Sequence, residues 1–346
     1  MSTSLVSHED IAPLSNFLKG YAAYDVMPDS AKVIIVDDTF SMARALVIMS
    51  ENATTSCTLW NTAMACYSGV VTSTDIMGCW LSVRNGYSDK YKKVCDTNTL
   101  LHLLDLIRIK DWKYLRFEYK VGHAPGIEET LNAKPCTFYH ANPETSLFDS
   151  IRFMFQHHIH RLPVVNNYGS LTHVLTFRSI CRYLVSKFRL PAEILKKEVV
   201  SLGLGEKNIA TVYTDTSVEA AVAKLIAMKL SAMPVLEAGS NRVVNIFSKT
   251  DFIVLARDDH IDFNCTVDHL LVNRPADVEP LHTLNLDATL GQVLKLIAES
   301  RVHRIVLIDE NGELYSVVSL RHILGFLAQS KEDEVDLLSS EGTEEE

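Results

Sequence analysis

The sequence predicts a mixed α/β fold assembled from four copies of one small unit. Two observations carry that expectation. The stretch His157-His158-Ile159-His160-Arg161-Leu162-Pro163-Val164-Val165 has a near-copy far downstream, Arg301-Val302-His303-Arg304-Ile305-Val306-Leu307-Ile308-Asp309. In both, a helix-like segment runs into His-Arg and then into a β-branched apolar run, which marks the first as one unit of an internal repeat. The order strand, helix, strand, strand, helix can also be read four times along the chain. One such unit has too little apolar surface to fold alone, so four units grouped as two pairs is the expected architecture.

Residues 1–20 are polar and aperiodic and are expected to be frayed. In unit one, 32–36 reads as a short buried strand and Asp38-Thr39 as the cap of a helix over 40–50. Strands at 57–60 and 68–72 and a helix at 74–83 complete it. An insert at 84–122 follows, and its apolar run 100–107 reads as a helix. Unit two has an extended segment 136–140, a helix 146–157, strands 162–165 and 171–175, and a helix 179–187. Unit three repeats the order at 210–213, 217–228, 233–236, 243–247 and 250–257, and unit four at 284–286, 290–300, 305–308, 314–318 and 321–327. Asn142-Pro143-Glu144-Thr145-Ser146, Asp215-Thr216-Ser217 and Asp287-Ala288-Thr289 all supply capping chemistry at helix starts. The expected divisions are a flexible 1–21, repeats at 22–83, 123–190, 205–262 and 263–328, an insert 84–122, a linker 191–204 and an acidic disordered tail 329–346.

Composition is that of a globular protein, 47% apolar and 22% charged, with a net charge of −10. The charge is uneven, because residues 331–346 carry eight acids against one lysine and contribute −7. Such a tail is usually solvated and disordered. No basic face of the density needed for nucleic acid is evident. Seven scattered cysteines, never spaced Cys-x-x-Cys, argue for reduced thiols in a cytosolic or nuclear protein. No signal peptide is read at the N-terminus. No apolar run approaches the ~20 residues needed to cross a bilayer.

The units resemble cystathionine-β-synthase (CBS) repeats, which pair into Bateman modules that commonly bind adenosine nucleotides. Tyr24-Asp25-Val26-Met27-Pro28-Asp29-Ser30-Ala31-Lys32, Ser146-Leu147-Phe148-Asp149, His160-Arg161-Leu162-Pro163-Val164 and Ser248-Lys249-Thr250-Asp251 are similar to the gamma subunits of AMP-activated protein kinase. So are Val302-His303-Arg304, Asp309-Glu310-Asn311 and Val318-Ser319-Leu320. The resemblance runs over roughly residues 22–328. It implies four CBS repeats paired into two Bateman modules that form a flat, pseudo-symmetric disc. It also implies nucleotide phosphates converging near the centre, with a ribose-binding Asp at the start of a repeat's last helix. A carboxylate can accept from both ribose hydroxyls, a helix N-terminus supplies backbone donors, and Arg and Lys neutralise phosphate.

Carried over residue by residue, the resemblance implies ribose carboxylates at Asp75 and Asp251. It implies phosphate contacts from His160, Arg161, Arg178, Lys249, Arg274, His303 and Arg304. Val70, Val71, Thr72, Ser73, Thr74, Ser231, Ala232, Ser248, Thr250 and Ser319 are the remaining expected pocket residues. The chain departs from the pattern at Thr55, where a phosphate-reaching arginine is expected, and at Ser179, at a position the family normally leaves unused. At Arg321-His322 it replaces the Ser-Asp pair of a third ribose site, so the repeat-four site is expected to be lost or altered. The resemblance further implies AMP, ADP or ATP as regulatory ligands with no metal required. It implies a kinase catalytic alpha and a scaffolding beta subunit as partners, and a cytoplasmic or also nuclear location.

Plainer readings stand beside these. Asp75 and Asp251 can be N-caps of the helices they begin, and Arg178 and Lys249 can be solvated surface charges. The cluster His157-His158-x-His160 invites a metal, but side chains at that spacing on a helix-to-strand junction diverge. Gly203-Leu204-Gly205 is too short for a dinucleotide loop and reads as linker. His160-Arg161-Leu162 and His303-Arg304-Ile305 are not the His-Arg-Asp of a kinase catalytic loop, and no Asp-Phe-Gly, Gly-x-Ser-x-Gly or His-Glu-x-x-His follows. The sequence therefore reads as a non-catalytic regulatory subunit. Two alternatives remain: a structural gamma subunit that assembles the kinase with weak or no nucleotide sensing, and a stand-alone Bateman protein.

Overall fold

The computed structural model describes residues 8–28, 31–84, 104–112, 138–188, 192–206, 208–255, 265–274, 280–300 and 303–328. Most of the insert, including 100–103 of its expected helix, residues 136–137 of unit two and the acidic tail lie outside the described residues.

Helix α1 (His8–Gly20) and a 3-10 turn (Ala23–Val26) precede unit one. Unit one comprises β1 (Ile35–Asp37), α2 (Met42–Glu51), β2 (Ser56–Asn61), β3 (Cys66–Thr72) and α3 (Ser73–Arg84). Unit two comprises α4 (Leu147–Gln156), β4 (Arg161–Val165), β5 (Leu171–Thr176) and α5 (Phe177–Lys187). A short α6 (Ala192–Leu195) leads to unit three: β6 (Val212–Tyr213), α7 (Val218–Ala227), β7 (Ala232–Leu236), β8 (Val243–Ser248) and α8 (Lys249–Leu255). After α9 (Val267–Val272), unit four holds β9 (Thr283–Asn285), α10 (Leu290–Glu299), β10 (Arg304–Ile308), β11 (Leu314–Ser319) and α11 (Leu320–Ala328).

The repeat extends to backbone detail. The first helix of each unit begins on a hydroxyl cap, with Ser41, Ser146, Ser217 and Thr289 accepting from Arg44, Asp149, Ala220 and Gln292 amides. In unit one this corrects the expected Asp38-Thr39 cap. Asp37 instead binds the Thr39 amide at 2.9 Å, and the helix starts two residues later than expected, at Met42. In units one to three the first helix ends in a Schellman turn, with Ala53, His158 and Lys229 at φ 48°, 51° and 53°. Each antiparallel hairpin carries a register shift at the same place: Leu59/Trp60, Val164/Val165, Val235/Leu236 and Leu307/Ile308.

One difference between units follows from proline. The third residue of the central strand is Thr58 in unit one and Val306 in unit four. Each donates its amide to the parallel first strand side, to Ile34 at 2.9 Å and His282 at 3.0 Å. Pro163 and Pro234 occupy that position in units two and three and have no N–H to give. The parallel ladder is accordingly shorter there. Unit three keeps a two-residue β6, and the extended segment expected at 136–140 is reduced to a single bridge, Ala141 to Val164.

The units close into the four-part disc through two kinds of contact. Helices join units one and three around one core, including Leu46, Trp80, Leu225 and Phe252, with the Trp80 and Phe252 rings 5.6 Å apart. A second core joins units two and four through Ile151, Leu184, Val293 and Leu324. Strand-side contacts join unit one to two and unit three to four. The Leu171 amide donates to the Tyr67 hydroxyl at 3.2 Å, and the Val243 amide to the Gly312 carbonyl at 3.0 Å.

The N-terminal segment is not frayed over its described length. Leu14 and Leu18, one helical turn apart and 2% and 0% exposed, anchor α1 in the second core. Burying each is worth about 1.5–3 kcal/mol, and Lys19 covers the Phe148 ring at 4.8 Å. Among the described side chains, the two leucines and Phe17 dock a helix that contains Pro13. The 191–204 segment also contributes to the core, through Ile194, Val199 and Leu204. Gly205, at φ +108°, then passes so close to β11 that a Cβ would clash with Ser316 Oγ.

Candidate anion site

The expected site residues sit where each hairpin begins and ends. The residue before the central strand is Thr55, His160, Ser231 and His303 in units one to four, and the first strand residue is Ser56, Arg161, Ala232 and Arg304. Each of these first residues pairs across the hairpin with the last residue before the final helix: Thr72, Thr176, Ser248 and Ser319. Two arginines then reach across units in the same way. Arg161 Nη2 of unit two donates to Thr55 Oγ1 of unit one, and Arg304 Nη2 of unit four donates to Ser231 Oγ of unit three. The pair of contacts expresses the pseudo-twofold relation between the two modules. It also gives Thr55 a role that its sequence position did not suggest: it seats a neighbouring arginine.

The four final helices share one turn. The amide of the last strand residue is accepted by the side chain three residues on: Thr72 by Asp75 at 2.9 Å, Thr176 by Ser179 at 2.9 Å, Ser248 by Asp251 at 2.7 Å, and Ser319 by His322 Nδ1 at 3.3 Å. The Asp75 and Asp251 carboxylates thus close helix starts, though as third residues reaching back to the Thr72 and Ser248 amides and not as the N-caps of the plainer reading. Asp251 is 0% exposed, takes a second bond from Ser248 Oγ at 2.7 Å, and pairs with Arg274 at 3.2 Å. Burial pushes its carboxyl up, against the opposing pull of the Ser248 bonds and the Arg274 charge. Arg274, expected on phosphate, is held on Asp251, the Ile246 carbonyl and Asn245. Asp75 is 5% exposed.

The remaining cations converge from units two, three and four. Lys249 Nζ donates to Thr74 Oγ1 of unit one at 2.7 Å, and Arg178 Nη2 to the Ser300 carbonyl at the end of α10 at 3.0 Å. Around His160 stand Arg321, Lys249, Arg161 and Arg304; around His303 stand Arg178, Arg304, Arg161 and His160. Both imidazoles are solvent-accessible, yet surrounding protein mass and then these positive charges push each down to about 4. The charges that shift the two imidazoles are basic groups, in a chain whose net charge is −10. Oxyanions that match the guanidinium fork are the acceptors such a set of donors suits.

This arrangement makes stability pH-dependent. In the unfolded chain both imidazoles titrate near the ordinary value of ~6.5, so between there and about 4 the unfolded state binds more protons. The stabilisation is complete above about pH 6.5 and is lost as pH falls toward 4, an effect moderated by solvent screening at these open sites. The urea midpoint is therefore expected to fall between pH 7 and pH 5, and the paired substitution His160→Gln with His303→Gln to flatten that slope. An equal slope in both proteins would contradict it.

Not every expected pocket residue faces this centre. Val71 is 1% and Ser73 5% exposed, so both belong to the packed layer rather than to an open surface. Val70, Thr72, Thr74, Ala232, Thr250 and Ser319 are partly buried at the same strand and helix ends, Ser248 is buried, and Ser231 is exposed. His157 packs between Tyr139 and Phe153, each ring at 4.3 Å, and His158 occupies the left-handed turn position, so these two histidines serve local structure while His160 stands apart from them at the cationic centre. Among the described residues no group of three or more His, Cys, Asp or Glu is placed to hold a metal. A shallow surface concavity lined by Asn142, Glu144, Thr145 and Tyr168 lies at a hairpin turn, away from the cations. Arg321 was read from the sequence only as a loss, and its place beside His160 becomes visible only when units two and four are brought together.

Three segments, residues 137–186, 199–258 and 276–329, match the family described as CBS domain. Over 326 residues the chain is 28% identical to 5′-AMP-activated protein kinase subunit gamma of Dictyostelium discoideum, covering 90% of this chain and 52% of that protein. It is 27% identical over 324 residues to subunit gamma-3 of Bos taurus, covering 91% and 60%. The chain thus spans about half the length of the curated relatives it matches. Among solved structures, a Methanocaldococcus jannaschii protein described as a candidate archaeal homologue of g-AMPK shares the fold, with a TM-score of 0.61 at 15% identity. The match covers 88% of this chain and 99% of that one.

Proposed function

From a chain that is a divergent, CBS-repeat relative of the gamma subunits of AMP-activated protein kinase, we propose a non-catalytic regulatory gamma-type subunit of such a kinase. It binds AMP, ADP or ATP between repeats and assembles with a catalytic alpha and a scaffolding beta subunit, in the cytoplasm and nucleus. The observation that carries this reading is the convergence of Arg161, Lys249, Arg304 and Arg178 on His160 and His303. Phosphate oxygens are the acceptors such a set of donors fits. Regulation then requires only that AMP and ATP differ in their affinity for two states of the assembly.

A second reading, a structural gamma subunit without nucleotide sensing, is favoured by a separate observation. Asp75 and Asp251 are engaged at helix starts, and unit four has His322 where a ribose carboxylate is expected. Co-expression with kinase alpha and beta chains distinguishes the two. The regulatory reading predicts a stable ternary complex whose kinase activity changes when AMP is exchanged for ATP. A complex indifferent to both nucleotides supports the structural reading, and no complex overturns both.

A further inference from the structure

Arg321 stands apart from the other cations of the centre. Arg161, Lys249, Arg304 and Arg178 each donate to a hydroxyl or carbonyl of another unit. Arg321 has no hydrogen bond or ion pair among the described residues. It is nonetheless held in place. Its Cζ lies 5.0 Å from the centroid of the Phe155 ring. Gly325, one turn further along α11, lets that ring approach so closely that a Cβ there would sit 3.3 Å from Phe155 Cζ. The Phe155 and Phe177 ring centroids are 5.3 Å apart, and the Phe177 and His160 rings form a T-shaped pair with centroids 5.7 Å apart. An aromatic shelf therefore runs from beneath Arg321 to the imidazole at the centre.

Residues 321 and 322 divide two tasks. His322 takes over the helix-closing role that Asp75 and Asp251 play elsewhere, which leaves Arg321 free of that duty. A partly exposed guanidinium that donates to no protein acceptor can take an anion's oxygens without breaking a contact of the fold. A guanidinium stacked on a ring has already lost much of its freedom, so it gives up less on binding. A single phosphate can engage the cations nearest it, but it offers fewer oxygens and less charge to a further cation at the margin of the cluster. A condensed phosphate chain carries more charge over a greater length.

We infer that Arg321 is a binding residue of the central anion site and that it favours ligands with a di- or triphosphate chain over those with a single phosphate. The inference rests on the reading of that centre as a phosphate site. The test is titration of the full chain with AMP, ATP and inorganic tripolyphosphate, for wild type, Arg321→Gln, Arg321→Lys and Arg304→Ala, with melting curves alongside. Arg321→Gln should weaken ATP and tripolyphosphate by about tenfold or more, the loss of one charge-assisted contact, and AMP by less than about threefold. Arg321→Lys should recover part of the loss, and it serves as the test if the glutamine variant fails to fold. Loss for ATP but not tripolyphosphate would mean that Arg321 reads the nucleoside, and it overturns the inference. Unchanged binding of all three probes, with Arg304→Ala still impaired, overturns the inference alone. A wild-type chain that binds none of the three overturns the underlying reading as well.

Discussion

Replacing Asp251 with alanine is expected to lower the unfolding free energy by about 3 kcal/mol or more, among the larger effects available to a single substitution. The carboxylate is fully buried, accepts from the Ser248 amide and hydroxyl at 2.7 Å each, and pairs with Arg274 at 3.2 Å. Alanine leaves a buried amide without an acceptor and a nearly buried guanidinium without a counter-charge, and breaking a buried pair in this way typically costs ~3–5 kcal/mol. Asp251→Asn keeps an acceptor for Ser248 and is expected to lose less. Urea unfolding of the three proteins measures this. A loss below about 1 kcal/mol for alanine would mean that the carboxylate does not hold the fold and is free for another role.

Arg304→Ala is expected to do the opposite. Phosphate affinity should fall roughly ten- to a hundredfold, the cost of one charge-assisted contact, while the melting temperature stays level or rises. Arg304 lies among like charges around both His160 and His303. Removing one of several neighbouring like charges relieves repulsion, which offsets the loss of the Arg304 bond to Ser231, so affinity and stability separate. Parallel calorimetric titration and thermal melting check this. Unaltered affinity, or a melting point that drops with it, would assign Arg304 to the scaffold.

Much of the fold was legible because it is a repeat. Apolar periodicity and hydroxyl caps such as Ser146, Ser217 and Thr289 marked the helices within one or two residues. The misses have local causes. Helix α1 was missed because, among its described side chains, the apolar ones packed on the core are Leu14, Phe17 and Leu18, too few to show a period. The start of α2 was misplaced because Asp38 competes with Ser41 as a capping residue in sequence, and only the fold sends the Asp37-Asp38 pair to other partners. The shortened first strands of units two and three trace to Pro163 and Pro234, whose missing amides matter only once the partner strand is known.

The site was legible in its residue types and less so in their partners. The near-copies around His160-Arg161 and His303-Arg304 announced a symmetric pair. That Arg161 rests on Thr55, and Arg304 on Ser231, depends on contacts between units more than 70 residues apart in sequence. The Asp75 and Asp251 readings stayed open in the sequence because an N-terminal helix Asp looks the same whether it caps or binds. The recurrence of that turn with Ser179 and His322 gives the position a structural function in all four units.

The central claim is that the cations drawn from units two, three and four form a phosphate-binding centre. It is tested most directly by calorimetric titration of the purified full chain with AMP and then ATP at pH 7. Binding with a Kd in the micromolar range, roughly 8 kcal/mol of affinity, is the predicted result. No measurable binding up to about millimolar nucleotide, where affinity would be no more than ~4 kcal/mol, would contradict it and leave the cluster a structural feature of the disc.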